Sequence, residues 1–155
     1  MSSVSICGID GQWTLEDFTC PTVFACPDGW EMFQDSCYLF VDSCKSFTNA
    51  ENNCRSLDAR LVHVESGEEN TFLRSYLSGL PMADYWIGMT DEDQEGNWKW
   101  YGNGVDVQFF DWKPGEASSN RHENCAVFGD TISYTWADVA CGSRRKSVCE
   151  MTNPE

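Results

Sequence analysis

The cysteine content of this chain is the feature that most limits its possible folds. Nine cysteines occur in 155 residues, a density that predicts a disulfide scaffold formed in an oxidising compartment. A zinc framework is disfavoured, because the chain has no CxxC pair and its two histidines are His63 and His122. Since the cysteine count is odd, one thiol is left free or bonds a second chain.

A disulfide scaffold implies export from the cell. The first residues, MSSVSICGIDGQW, have no basic start and no apolar run, so they lack the pattern of a signal peptide. We therefore expect a secreted, extracellular protein whose leader has been cut away. No apolar stretch approaches the roughly 20 residues that cross a bilayer, so membrane insertion is not expected.

The charge of the chain restricts its partners. Its 25 acidic and 10 basic residues give a net charge of −15. This balance argues against nucleic acid, because binding to phosphates needs clustered Lys and Arg. It is compatible with cations, neutral polyols or basic surfaces, and equally with a plain soluble surface that has no such partner.

Two segments have the hydrophobic period of amphipathic helices. The apolar stripe of the first, SFTNAENNCRSLDARL, consists of Phe47, Ala50, Cys54, Leu57 and Leu61. Either Ser46 or Thr48 can cap it. The second helix opens with Ser66 and Glu69 as a capping box and ends near Gly79. Its apolar positions are Phe72, Leu73, Tyr76, Leu77 and Leu80.

Short strands lie on both sides of these helices. Before them, CPDGWEMFQDSCYLF alternates apolar and polar residues around a Pro-Asp-Gly turn, which predicts a small hairpin closed by Cys26 and Cys37. After them, further strands are predicted at YWIGM, NWKWYG, CAVF, YTWADV and KSVCE. Trp86, Trp98, Trp100 and Trp112 are predicted to be core residues.

The order of elements predicts a single α+β domain over residues 26–150. Residues 1–25 form a short extension that carries Cys7 and Cys20, and residues 151–155 form a tail. Within the domain, residues 102–124 make a long polar loop with little periodicity. A loop of that length in a compact domain is usually functional.

The motifs quoted above jointly resemble the C-type lectin-like domain family over about Cys26 to Glu150. The similarity rests on CPDGW, the helix positions Phe47, Ala50 and Cys54, the strand WIGM, the segments GNWKW and FFDWKPGE, and the final cysteines Cys125, Cys141 and Cys149. It implies an α+β fold with two helices, two small antiparallel sheets and a long irregular ligand-binding loop, stapled by disulfides.

The resemblance also implies how the cysteines pair. The family scheme corresponds here to Cys26–Cys37, Cys54–Cys149 and Cys125–Cys141. Each bridge constrains the unfolded chain and typically stabilises by about 2–4 kcal/mol. Outside the scheme stand Cys7, Cys20 and Cys44. We expect two of these to pair and the third to link a second copy as a disulfide-linked homodimer, the alternative being a buried free thiol.

A calcium site under the long loop is a further implication of the resemblance. Sugar-binding members hold the metal with a Glu-Pro-Asn or Gln-Pro-Asp triplet, a following Glu, and an Asn-Asp pair after a Trp. Calcium takes six to eight oxygens at variable angles, so it can also hold two neighbouring sugar hydroxyls. The carboxylates at these positions here are Glu116, Glu123 and Asp138.

The amides of this site have been lost. The triplet ends in Ala117 and Ser118, and Ala137 stands before Asp138. Ser118 keeps one oxygen and one donor, whereas Ala137 supplies neither. The family holds its triplet proline in a cis peptide. A cis bond at Ala117 would cost about 2.5–4 kcal/mol, which predicts a trans loop of different shape.

Other residues near the loop are candidates to complete the site. Arg121 and His122 can replace the lost donors, and the guanidinium of Arg121 suits carboxylate or sulfate groups. The segment TDEDQEG places Asp91 and Glu95 where some family members hold an auxiliary calcium, together with Glu123 and Asn124. The alternative is a solvated acidic turn without metal.

The resemblance therefore implies a non-enzymatic lectin that binds glycans with calcium through the Gly115–Asp138 surface. The predicted sugar-binding residues are Glu116, Ser118, Arg121, His122, Glu123 and Asp138. The predicted metal ligands are Glu116, Glu123, Asp138, Asp91, Glu95 and Asn124. The alternative is a calcium-independent module that binds a protein, a mineral surface or another non-sugar ligand. Enzymatic activity is disfavoured, because a disulfide sulfur is no thiolate.

Overall fold

The computed structural model of the chain describes residues 3–5, 22–116 and 122–152. Most of the predicted N-terminal extension, including Cys7 and Cys20, lies outside the described residues. Two predicted site residues, Ser118 and Arg121, also lie outside them. Within the described ranges no helix is both long and apolar enough to span a bilayer.

The described chain contains ten strands and two helices. In chain order these are β1 (Ser3–Ser5), β2 (Thr22–Phe24), β3 (Glu31–Phe33), β4 (Ser36–Lys45), α1 (Phe47–Ser56), β5 (Arg60–Leu61), α2 (Gly67–Ser78), β6 (Tyr85–Thr90), β7 (Lys99–Trp100), β8 (Cys125–Phe128), β9 (Trp136–Val139) and β10 (Arg145–Thr152). A short 3₁₀ turn, Asp130–Ile132, precedes β9. The α+β class and its two helices are confirmed.

The strands form one large sheet and one small one. Strands β1 and β2 pair with each other, and the other eight form a sheet in the order β3-β4-β10-β6-β8-β9, with β5 on β10 and β7 on β6. Within the predicted domain, residues 26–150, one eight-stranded sheet replaces the two small antiparallel sheets of the prediction. The reason is a parallel pairing between β10 and β6, which joins the two halves. Trp86 Nε1 also donates to Lys45 O at 2.8 Å across this junction.

The hairpin of β3 and β4 exists, but its turn was predicted at the wrong residues. The strands pair antiparallel from Glu31–Tyr38 to Phe33–Ser36. Their connection is Gln34 and Asp35, and Gln34 has a left-handed φ of 52°. The Pro-Asp-Gly segment makes an earlier turn, closed by a hydrogen bond from Trp30 N to Pro27 O at 3.1 Å.

Helix α1 is shorter than its hydrophobic stripe predicted. Ser46 is the N-cap and accepts from Asn49 N, while the helix ends at Ser56. The chain then turns through Asp58, whose φ is 58°. Leu57 is therefore 39% exposed, and Leu61 belongs to β5, opposite Cys149. Leu61 extends the apolar period of the sequence beyond the end of the helix only by coincidence, because it is a strand residue.

Helix α2 begins as predicted. The Ser66 side chain accepts from Glu69 N at 3.1 Å. The reciprocal bond of a capping box is shifted by one residue, since Glu69 Oε1 accepts from Glu65 N at 2.9 Å. Leu73 and Leu77 are fully buried against the sheet, which is the packing expected of an amphipathic helix.

Three disulfides tie elements of the domain together. Cys26–Cys37, Cys54–Cys149 and Cys125–Cys141 are all formed, as predicted. The bridge from Cys54 ties α1 to β10, and the bridge from Cys125 ties β8 to the segment after β9. Trp86, Trp98 and Trp100 are buried in the core as predicted, and Trp112 is half-buried against it.

Candidate functional site

The long loop is anchored to β9 by a ladder of backbone hydrogen bonds. Trp136 N donates to Asp111 O at 2.8 Å, and Lys113 N donates to Trp136 O at 2.9 Å. Glu116 N then closes a turn onto Lys113 O at 2.8 Å, through Gly115, whose φ of +91° favours glycine. These bonds fix the position of the Glu116 backbone beside β9, the strand that carries Asp138.

Aromatic rings support the same loop from below. Trp112 packs edge-on against Trp136 with ring centroids 6.0 Å apart, and against Trp98 at 5.0 Å. Trp136 Nε1 donates to Asn70 Oδ1 at 3.1 Å, and Asn70 Nδ2 donates to Asp111 Oδ2 at 2.7 Å. Asn70 was not identified from sequence, because it lies in the regular pattern of α2 and only the fold places it beneath the loop.

Glu116 and Asp138 are in contact. The backbone N–H of Asp138 donates to Glu116 Oε2 at 3.4 Å, and Asp138 is 97% shielded from solvent, with 3% exposure. A hydrogen bond with the Asp138 side chain raises the pKa of Glu116 to about 7; burial and the charges of Asp138 and Glu123 act in the same direction. Asp138 and Glu123 therefore both act on Glu116, and we call Glu116, Glu123 and Asp138 the loop site.

The loop site fits a hard cation in chemistry but only partly in arrangement. Carboxylate oxygens are the ligands that calcium prefers, and their mutual repulsion would be relieved by a bound cation. Yet the described residues contain no group of three or more His, Cys, Asp or Glu side chains arranged to hold a metal. His122, predicted as a sugar contact, is exposed at the edge of this region, and Glu123 is half-buried.

A second cluster of oxygens lies at the predicted auxiliary site. Asp91 N donates to Asn124 O at 3.1 Å, and Gly96 N donates to Asp91 Oδ2 at 2.9 Å, so the turn after β6 folds against the start of β8. Asp91 is 2% exposed, and its Oδ1 is buried with no hydrogen-bond partner in the described parts of the chain. Buried oxygens of Glu95 and Asn124 lie in the same segments. This donor set fits calcium.

A third acidic cluster was not recognised in the sequence. Tyr38 Oη donates to Glu69 Oε2 at 2.5 Å, and Ser36 Oγ donates to Glu150 Oε2 at 2.9 Å. Burial, together with the charge of Glu150, raises the pKa of Glu69 to about 7, and burial also raises the pKa of Glu150. The sequence marks Glu69 only as part of a capping box, and because Tyr38 and Glu150 are far from it along the chain, only the fold brings this cluster together.

His63 is a buried residue of the core. Its ring stacks on Trp100 with centroids 4.8 Å apart, and its Nε2 lies 3.2 Å from Tyr101 O. Burial lowers its pKa to about 3, so the imidazole is neutral and enclosed. Among the described cysteines, the free thiol is that of Cys44, which is exposed on β4.

Known proteins share both the sequence pattern and the fold. Residues 43–151 match the family model described as the lectin C-type domain. A perlucin-like protein of Mytilus galloprovincialis is 29% identical over 126 residues, which cover 80% of this chain and 81% of that protein. The chain spans smaller shares of other relatives, for example 63% and 32% of the length of two of them.

Two solved structures illustrate the range of proteins with this fold. The mouse scavenger receptor C-type lectin carbohydrate-recognition domain has a TM-score of 0.76 and 29% identity, covering 83% of this chain and 98% of that one. A Ca²⁺-dependent type II antifreeze protein in its Ca²⁺-free form has a TM-score of 0.75 and 27% identity, covering 82% and 100%.

Proposed function

The chain belongs to the C-type lectin domain family, and from that premise we propose that it binds glycans through the surface of residues 115–138 with the help of calcium. The observation that supports this most is the contact between Glu116 and Asp138. The Glu116 carboxyl also shares a hydrogen bond with the buried side chain of Asp138, and two carboxylates this close are unfavourable without a proton or a cation between them. Their retention, beside Glu123, is what a cation site requires.

The residues of the loop site and those around it are proposed to have different roles in binding. Glu116, Glu123 and Asp138 would hold the ion, and their remaining lone pairs would accept hydrogen bonds from sugar hydroxyls. Calcium supplies open coordination positions for two neighbouring hydroxyls when bound. Ser118, Arg121 and His122 are proposed to donate in place of the lost amides. The buried oxygens of Asp91, Glu95 and Asn124 are proposed to hold an auxiliary calcium that stiffens the base of the loop.

The setting proposed for this activity is extracellular. Three disulfides formed within the domain fit an oxidising compartment, so we propose a secreted, non-enzymatic binding protein. Its proposed dimer would be linked through Cys7, Cys20 or Cys44. Pairing two sites can raise avidity by roughly 10²-fold or more, which matters for a sugar bound weakly at each single site.

A second function has specific support and is kept as the alternative. The amides of the family triplet and pair are absent at Ser118 and Ala137, and the type II antifreeze protein of similar structure, although it is Ca²⁺-dependent, is not named for binding a sugar. A lectin-like module that binds a protein, a mineral surface or another non-sugar ligand without calcium would keep the fold and lose the amides.

Binding to a glycan array in millimolar calcium, repeated with chelator, tests the proposal. We expect retention of a defined set of neutral glycans in calcium and its loss in chelator. The Glu123→Gln variant should lose the same signals in calcium, whereas Glu92→Gln, at an exposed position of the acidic turn, should keep them. Absence of glycan binding under both conditions would favour the alternative function.

A further inference from the structure

Most of the described cations of this acidic chain are paired with carboxylates, and two of the three exceptions line the same pocket. Among the described residues, ion pairs to Asp or Glu involve Arg55, Arg60, Arg74, Lys99, Arg145 and Lys146. In the same parts of the chain Lys45, Lys113 and Arg144 form no ion pair. Lys45 and Arg144 line one pocket. On a chain with a net charge of −15, this concentration of uncompensated positive charge is unexpected.

The pocket lies where α1 begins, beside the turn that joins β9 to β10, and we call it the α1 pocket. It has a volume of about 570 Å³, and its other polar walls include Asn49, Asn52 and Asn53. The side-chain amides of these asparagines make no hydrogen bond to other residues that the structure describes. No Asp or Glu is found among its described lining residues.

The walls of the α1 pocket are held in place by the fold. Arg144 donates to Cys44 O at 3.1 Å, which leaves most of its guanidinium donors available. Phe47 N donates to Cys141 O at 3.0 Å, so the start of α1 is tied to the segment that the Cys125–Cys141 disulfide fixes. The positive end of the α1 dipole lies at the same place and adds to the field of the two cations.

The chemistry of these walls selects a class of ligand. A guanidinium and an ammonium bind sulfate or carboxylate through charge-assisted hydrogen bonds. Amides both donate and accept, which matches the hydroxyl groups of a sugar ring. The described lining contains no aromatic or large aliphatic side chain that would hold an acidic peptide. At physiological salt, charges beyond roughly 8 Å are screened, so the negative charge elsewhere on the chain does not cancel this local attraction.

We propose that the α1 pocket binds an anionic saccharide, with the sulfate or carboxylate on Lys45 and Arg144 and the ring hydroxyls on the asparagine amides. None of its residues belongs to the segment 115–138. The site is therefore separate from the loop site, and its ligand is bound without calcium.

Titrations of ¹⁵N-labelled protein in chelator, followed by NMR, test this proposal. The probes are glucose 6-sulfate, glucuronate, glucose and inorganic sulfate. We expect saturable shifts of the side-chain amide signals of Asn49, Asn52 and Asn53 with the charged sugars and none with glucose. Whether glucose 6-sulfate or glucuronate binds more tightly identifies the anionic group. Lys45→Gln and Arg144→Gln should each weaken the tighter probe about tenfold, since each removes charge-assisted hydrogen bonds.

Two control variants distinguish binding in the α1 pocket from a general effect of charge and from binding at the loop site. Lys113→Gln removes the same charge from the third cation that forms no ion pair in the described chain, and Glu123→Gln disables the loop site. Both should bind the charged sugar with wild-type affinity, with thermal melts confirming that every variant is folded. The proposal is overturned if no saturable shift occurs or if Lys113→Gln weakens binding as much as Lys45→Gln. It is also overturned if inorganic sulfate or a tetraglutamate peptide binds as tightly as the sugars.

Discussion

The backbone N–H of Asp138 donates to Glu116 Oε2 at 3.4 Å, and this contact joins strand β9 to the long loop. The two side chains share a hydrogen bond that raises the pKa of Glu116 to about 7. Such a pair is held together by a proton when no cation is present. A cation that replaced the proton would connect the same two elements, and in the proposed site it would also bind Glu123.

Calcium should therefore stabilise the domain. A ligand that binds only the native state adds RT ln(1 + [L]/Kd), about 2.7 kcal/mol at a hundredfold excess over Kd. For a domain of this size we expect thermal melts in millimolar calcium and in chelator to differ by roughly 5–10 °C. Magnesium at the same concentration is the control, since it rarely dehydrates enough to bind such a site. Identical melts in calcium and chelator would contradict the metal site.

Removing one carboxylate should weaken calcium and glycan together. Glu123→Gln keeps the shape of the side chain but removes one negative charge from the loop site, so calcium affinity should fall by at least tenfold. Glycan affinity measured in calcium should fall in parallel, because the sugar is proposed to bind through the ion. Glu92→Gln, on the exposed acidic turn, is the matched control. If Glu123→Gln leaves glycan binding intact, recognition comes from other residues.

Much of the fold could be predicted from sequence, because the patterns that indicate it either involve neighbouring residues or consist of several motifs that occur together. The cap at Ser66 depends on neighbours within one helical turn, and the disulfide scheme follows from six of the nine cysteines, which fit one family pattern. The end of α1 could not be predicted in this way. Leu61 continues the apolar period of the helix, but its partner in the sheet is Cys149, far away in sequence.

Site residues could be predicted from sequence only where their type and their order in the chain indicate a chemical role. Glu116 and Asp138 were identified by their types and order, and the structure brings them into contact. Asn70 and Glu150 could not be predicted, because their roles depend on the packing of α2 against the sheet. Glu150 lies in β10, and the alternation of apolar and polar residues in the sequence does not indicate whether its side chain is buried. Only tertiary contacts place it near Glu69.

Cys44 should carry the link between two copies of the chain. It is free and exposed on β4, whereas the other described cysteines are bridged. Oxidation by a disulfide exchange partner in the secretory environment would join two thiols as one disulfide. Non-reducing gels should show a species near twice the 17.5 kDa chain mass that Cys44→Ser abolishes and Ser43→Ala preserves. A monomer with one titratable thiol, or a dimer that survives Cys44→Ser, would refute this assignment.

The buried pair Glu69 and Glu150 should make the metal-free protein less stable as pH rises. Burial, with the charge of Glu150, raises the pKa of Glu69 from 4.5 to about 7. Between these values the folded state holds a proton that the unfolded state has lost. The free energy of unfolding contributed by Glu69 is therefore full below about pH 4.5, falls as pH rises, and is lost above about pH 7. One pKa unit corresponds to about 1.4 kcal/mol, so the total change is on the order of a few kcal/mol.

Urea unfolding in chelator at pH 5, 6, 7 and 8 measures this effect for wild type, Glu69→Gln and Glu68→Gln. The stability of wild type minus that of Glu69→Gln should fall steadily from pH 5 to 7 and then level off, because Gln keeps the hydrogen bond from Glu65 N but cannot ionise. Taking this difference removes the contribution of every other carboxylate, including those that stabilise at high pH. Glu68 is exposed beside Glu69, so Glu68→Gln should track wild type. A difference that stays constant with pH would mean that Glu69 ionises normally in the folded protein and that its contact with Tyr38 carries no pH dependence.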